Sequence, residues 1–151
     1  MSYKKSKYFT TRNNKKIKYL LSKKNSQITV VFFHGFMSDM IGKKPQVIQK
    51  FCNKNRINFL KFEYSGHGKS TGDFTKGNIS EWTSEAKELI KSKLKKDNKL
   101  IFIGSSMGSW IALNLFQFFK KKLKGFIGIG SAPEFLENLM WKKFNKKIKK
   151  N

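Results

Sequence analysis

The sequence predicts an α/β protein, a three-layer α/β/α sandwich around a mostly parallel sheet. Three observations predict it. Short apolar runs rich in β-branched and aromatic residues alternate with longer segments of helical periodicity. The run Gln27-Ile-Thr-Val-Val-Phe-Phe33 is apolar almost without interruption, as expected of a strand buried on both faces of a parallel sheet. From that run onward, strands end in glycine-bearing loops, and the helical segments between them suit right-handed crossovers. With 151 residues and no internal repeat or linker, the chain reads as a single domain over 1–151.

In order, Lys7–Thr11 and Lys16–Leu21 read as a first strand pair around the polar turn Arg12-Asn13-Asn14. The strand at 27–33 leads into the loop His34-Gly35-Phe36-Met37-Ser38-Asp39. Pro45 suits the first turn of a helix in which Val47, Ile48, Phe51 and Cys52 recur at helical spacing. Ile57–Tyr64 reads as a strand and Ser65–Phe74 as a glycine-rich loop. Asn78 followed by Glu81 fits a capping box. Ile79, Trp82, Ala86, Leu89, Ile90 and Leu94 then form one apolar stripe. The lysines from Lys91 to Lys96 suit the negative end of that helix and read as a solvated face. Lys99–Ile103 is a strand and Trp110–Phe119 a centrally buried helix. Leu123–Ile129 is the next strand, and Phe135–Lys150 reads as an amphipathic helix.

Charge and composition narrow the function classes. There are 33 basic against 9 acidic residues, a net charge of +24. Attraction to nucleic acid or to anionic membrane is one consequence of such a charge. Only Arg12 and Arg56 are arginines, however, and the planar guanidinium is the group suited to bidentate phosphate and base recognition. The lysines are spread over every element, beside many Asn, Ile and Phe, as in an AT-rich coding sequence. No specific nucleic-acid partner is expected, and membrane contact is expected to be peripheral at most. The lone Cys52 reads as a small core residue and precludes an internal disulfide. No apolar run approaches the length of a membrane span, and the basic N-terminus lacks the apolar stretch of a secretory signal. A cytoplasmic location is the expectation.

The chemistry concentrates at Gly104-Ser105-Ser106-Met107-Gly108. A G-x-S-x-G motif between a strand and a helix reads as a nucleophile elbow, a tight turn that lifts a serine Oγ above the sheet. Ser106 is the candidate nucleophile, and Gly104 and Gly108 relieve crowding where the chain reverses.

Three motifs in order, His34-Gly35-Phe36, Gly66-His67-Gly68-Lys69-Ser70 and Gly104–Gly108, resemble those of the α/β-hydrolase family. The stretch Tyr64–Phe74 and the Ser-Ser-Met-Gly elbow are similar to the abhydrolase-domain-10 group, palmitoyl-protein thioesterases and acyl-glucuronide esterases. The resemblance implies hydrolysis of carboxylic esters or thioesters, on small molecules or acylated proteins, through a Ser106 acyl-enzyme. It implies an oxyanion hole built from the backbone N–H groups of Met107 and Phe36. His34 and Gly35 shape that loop, His67 is structural, and Asp39 and Asp73 brace loops. The implied mechanism requires no metal or cofactor.

In the family order the triad acid and histidine follow the serine. After Ser106 this sequence has no Asp and no His, and only Glu134 and Glu137 remain as acids. The resemblance therefore predicts a C-terminally truncated or split domain. Residues 132–151 would begin a cap region, Leu123–Ile129 would form an exposed sheet edge, and a separately encoded C-terminal piece is an expected partner. Activity of this chain is doubtful on that reading. Two other classes stand beside it: a non-catalytic remnant or acyl-ligand-binding scaffold, and a basic membrane- or nucleic-acid-binding protein.

Overall fold

The computed structural model describes residues 6–131. Lys7–Thr10 (β1) and Lys16–Ser22 (β2) form the expected antiparallel hairpin, with Asn14 in the left-handed region at its turn. β2 then pairs antiparallel with Asn58–Phe62 (β4). Ile28–Phe33 (β3), Lys99–Ser105 (β5) and Leu123–Ile129 (β6) continue the sheet in parallel, giving the order β1-β2-β4-β3-β5-β6. The antiparallel hairpin thus sits at one edge and β6 at the other.

Lys43–Lys54 (α1) covers one face of the sheet. Ile79–Lys93 (α2) and Met107–Asn114 (α3) cover the other. Alternation along β3 shows why its sequence is apolar throughout: Val31 and Phe33 enter the α2/α3 core, while Val30 and Phe32 enter the α1 core. Phe33 makes edge-to-face contacts with Phe62 and Phe102, with centroids 5.6 and 5.0 Å apart. Such pairs contribute roughly 0.5–1.5 kcal/mol each beyond simple burial. Cys52 is fully buried on the sheet-facing side of α1, and burial pushes its thiol up to about 11, so it is an inert core residue.

Two helical expectations need correction. Val47 and Phe51 do not join the core face of α1; they are 59% and 60% exposed, while Ile48 and Cys52 point inward. The two pairs lie on adjacent stripes about 100° apart, and the single layer of sheet beneath α1 contacts only one stripe. The helix expected over Trp110–Phe119 is also divided. It breaks at Leu115, whose N–H bonds the Ala112 carbonyl three residues back, and resumes as Phe116–Phe119 (α4). Phe119 is thereby laid edge-on against Phe102 in the core.

At α2, the Asn78 side chain accepts from the Glu81 N–H at 2.9 Å, so half of the capping box forms. The Glu81 carboxylate pairs instead with Lys15 of the hairpin turn. The cap region expected over 132–151, including Glu134, Glu137 and the helix at 135–150, lies outside the described residues.

Candidate active site

β5 lies between β3 and β6, largely buried, and delivers Ser106 at its carboxyl end. Ser106 has φ 51° and ψ −121°, a backbone conformation that costs a non-glycine residue about 1–3 kcal/mol. Surrounding contacts hold it there. The Ser106 N–H donates to the Ile129 carbonyl at 3.0 Å, and its own carbonyl accepts from the Ser109 N–H at 2.9 Å. Ser109 Oγ donates to the Gly104 carbonyl at 2.8 Å, tying the helix back to the strand.

Both elbow glycines are required by close approach. A Cβ on Gly104 would lie 2.5 Å from Ser109 Cα. One on Gly108 would lie 2.5 Å from the His34 carbonyl oxygen and nearer still to that of Phe33. The first turn of α3 therefore rests directly on the end of β3.

The loop after β3 meets the elbow. A Cβ on Gly35 would come within 3.4 Å of Ser106 Cβ and 3.3 Å of the Ser105 carbonyl. Phe36 N–H and Met107 N–H, the two predicted oxyanion donors, have no acceptor among the described residues. Met107 is the first residue of α3, so its N–H also lies at the positive end of that helix.

The two histidines sit behind this loop. His34 and His67 are buried, with ring centroids 5.1 Å apart, and each pairs its Nδ1 with a backbone carbonyl, Gly35 at 2.8 Å and Ser65 at 3.1 Å. Those bonds fix Nδ1 as the protonated nitrogen and leave Nε2 of both rings unpartnered among the described residues. Burial lowers the His34 imidazole to about 3 and lowers that of His67 as well, so both are neutral. Neither hydrogen-bonds Ser106. Both act on the loops: His34 braces the turn at Gly35, and His67 packs against Phe74 and Trp82.

Buried polar anchors hold the Tyr64–Phe74 loop. The Ser65 N–H donates to Glu85 Oε2 at 2.9 Å, and the Ser65 carbonyl accepts from Trp82 Nε1 at 3.1 Å. The Lys69 N–H donates to Glu63 Oε2 at 2.6 Å. Burial raises the Glu85 carboxyl above its usual range. Asp39 and Asp73 brace their loops as expected, accepting the N–H groups of Ile41 and Thr75.

Beside the elbow opens a groove of about 610 Å³, lined chiefly by Phe36, Phe74, Ile79, Trp82, Met107 and Trp110. It is apolar and is lined by both Phe36 and Met107, whose N–H groups have no acceptor among the described residues. Sequence periodicity assigned Trp82 to the α2 core stripe and gave no role to Phe74 or Trp110. Their convergence depends on α2 and α3 packing side by side on one face of the sheet. No three His, Cys, Asp or Glu side chains converge as metal ligands among the described residues.

A family model described as serine aminopeptidase, S33 matches residues 24–150. The chain belongs to this family of α/β hydrolases. It is 30% identical over 105 residues to the rat mitochondrial palmitoyl-protein thioesterase ABHD10, covering 70% of this chain and 35% of that protein. The chain thus spans about a third of the length of the curated relatives it matches. A mouse α/β-hydrolase domain-containing protein 10 structure superposes with a TM-score of 0.88 at 23% identity, over 97% of this chain and 57% of that one. A structure described as a hydrolase from Agrobacterium vitis S4 superposes at 0.87 with 29% identity, over 97% and 59%. The mitochondrial designation belongs to the relatives. For this chain, no helix among the described residues is long and apolar enough to cross a membrane.

Proposed function

We propose that this chain carries the nucleophile half of a serine hydrolase acting on carboxylic esters or thioesters with an apolar acyl group. The observation that carries the reading is Ser106 itself, held at φ 51° between β5 and α3 with the Gly35 loop packed against it; the Phe36 and Met107 N–H groups have no acceptor among the described residues. A serine that merely capped a helix would have no need of that strain. In the proposed reaction Ser106 Oγ attacks the acyl carbonyl and the Phe36 and Met107 N–H groups bind the developing oxyanion. Each such donor is typically worth about 3 kcal/mol of barrier. The acyl chain lies in the groove along Phe74, Trp82 and Trp110. Thioesters on acylated proteins are the substrate class suggested by the rat relative, a palmitoyl-protein thioesterase.

Proton transfer needs a histidine within hydrogen-bond reach of Ser106, and neither His34 nor His67 hydrogen-bonds it: each holds a backbone carbonyl through Nδ1, and its Nε2 has no partner among the described residues. We place the activating histidine and acid on polypeptide outside the described residues, docked at the edge of β6, which pairs with no further strand among the described residues. Ile127 on that strand is 53% exposed.

Fluorophosphonate labelling followed by peptide mass spectrometry tests the reading. The expected adduct is on Ser106, forming on the order of 10³-fold more slowly than in a complete triad enzyme. Ser106→Ala should abolish it. An adduct elsewhere, or none on prolonged exposure, removes Ser106 as nucleophile. Labelling at the full rate removes the need for a second segment.

A further inference from the structure

The sequence scatters lysines over every element, but the fold gathers many of them at one place. Each parallel strand begins at the end of the sheet opposite Ser106, and α1, α2 and α4 all finish there. The connecting loops are tied into one continuous surface. Lys24 N–H donates to Asn58 Oδ1 at 2.7 Å, Lys99 N–H to the Gln27 carbonyl at 2.8 Å, and Leu100 N–H to the Lys122 carbonyl at 2.9 Å.

That surface is cationic. Residues 53–57 contribute the exposed Lys54 and Arg56. Residues 94–99 contribute Lys95, Lys96 and Lys99, all exposed. Residues 120–124 add Lys120, Lys121 and Lys124, also exposed. The single acid in these three segments is Asp97. None of these cations forms an ion pair among the described residues. Favourable placement at helix C-termini accounts for lysines in a last turn, such as Lys54. It does not account for Arg56, Lys99 and Lys124, which lie on strand entries.

We propose that this end of the sheet docks on the anionic surface of a lipid bilayer. Lysine ammonium groups are point charges suited to a diffuse, laterally mobile layer of anionic headgroups. The near absence of arginine removes the fork that favours ordered phosphate recognition in nucleic acid. Phe51 supplies an apolar anchor: it lies in the last turn of α1, three residues before Lys54, and is 60% exposed. Docked this way, the seven residues of β5 hold Ser106 about 20 Å from the headgroups, with the groove open to water. This inference does not depend on the proposed hydrolase chemistry.

Cosedimentation with phosphatidylcholine vesicles, with and without phosphatidylserine, provides the test. Binding is expected only with phosphatidylserine and should fall as salt rises. Replacing Lys54, Lys95, Lys96 and Lys121 together by Gln should weaken it on the order of 100-fold or more. Replacing Lys43, Lys44, Lys69 and Lys76 by Gln gives the same net charge and should weaken it less than about tenfold. Phe51→Ser should weaken it about tenfold with an unchanged salt slope. Equal losses from the two lysine quartets would show a net-charge effect and overturn the proposal. So would binding to pure phosphatidylcholine, or displacement from the vesicles by single-stranded DNA at equal phosphate concentration.

Discussion

The two ends of the sheet are built on opposite terms. At the carboxyl end of the parallel strands, backbone approaches backbone so closely that Gly35, Gly104 and Gly108 have almost no room for a side chain. Two neutral histidines are buried there, and Ser106 is held off its preferred conformation. At the amino end, exposed lysines extend from loops that make few demands on side-chain shape. One end is specified by packing and strain, the other by charge. A chemical site needs atoms fixed to within about half an ångström, whereas a surface that attracts anions needs only its summed potential.

Substitution at the packed end should therefore be costly. Gly108→Ala places a methyl against the Phe33 and His34 carbonyls, and neither α3 nor β3 can retreat without opening the core. A loss of about 3 kcal/mol or more is expected in urea unfolding. A loss under about 1 kcal/mol would show that the elbow is looser than its geometry.

Acid should act on the same end. The folded state holds His34 at about 3 against an ordinary 6.5, so between those values the unfolded chain binds the extra proton. Stability from this group is complete above pH 6.5 and is lost as pH falls toward 3, by about 1.4 kcal/mol per pH unit once His34 titrates only in the unfolded chain. His67 adds a contribution of the same sign. Glu85, whose carboxyl is raised, contributes with the opposite sign and blunts the loss. The urea midpoint measured across this window should fall with acidification; a flat profile would mean that the histidines are not buried neutral.

Relief of strain should have a smaller effect with the opposite sign. Ser106→Gly is expected to stabilise the fold by about 1–2 kcal/mol while abolishing fluorophosphonate labelling. Destabilisation would show that the Ser106 side chain does more for packing than its lack of hydrogen bonds indicates. The smallest effect belongs to the cationic end. The Gln quartet at Lys54, Lys95, Lys96 and Lys121 should leave stability within about 0.5 kcal/mol, or raise it slightly by reducing self-repulsion. A larger loss would mean that those lysines are part of the fold.

Much of the architecture was legible because it is encoded locally. The apolar run at 28–33, the Asn78 cap and the stripe from Trp82 to Ile90 each follow from spacing within one element. His34 and His67 were read as structural, and each holds a backbone carbonyl through Nδ1. Val47 and Phe51 were misplaced because helical spacing identifies a stripe but not how many stripes a partner will cover. The break at Leu115 was invisible because no glycine or proline marks it. Phe74 and Trp110 carry no motif, and only the packing of α2 beside α3 brings them to one groove.

The sequence by itself determined the alternation of strand and helix, the turn that presents Ser106, and the glycines that permit it. Those patterns are written within a few residues of chain, although the contact that makes Gly108 necessary is with the distant end of β3. The tertiary structure alone decided that the loop at Gly35 lies against that serine, and that lysines distant in sequence share one end of the sheet. Both outcomes follow from strand order and direction, set by which apolar faces bury one another across the core rather than by any local preference.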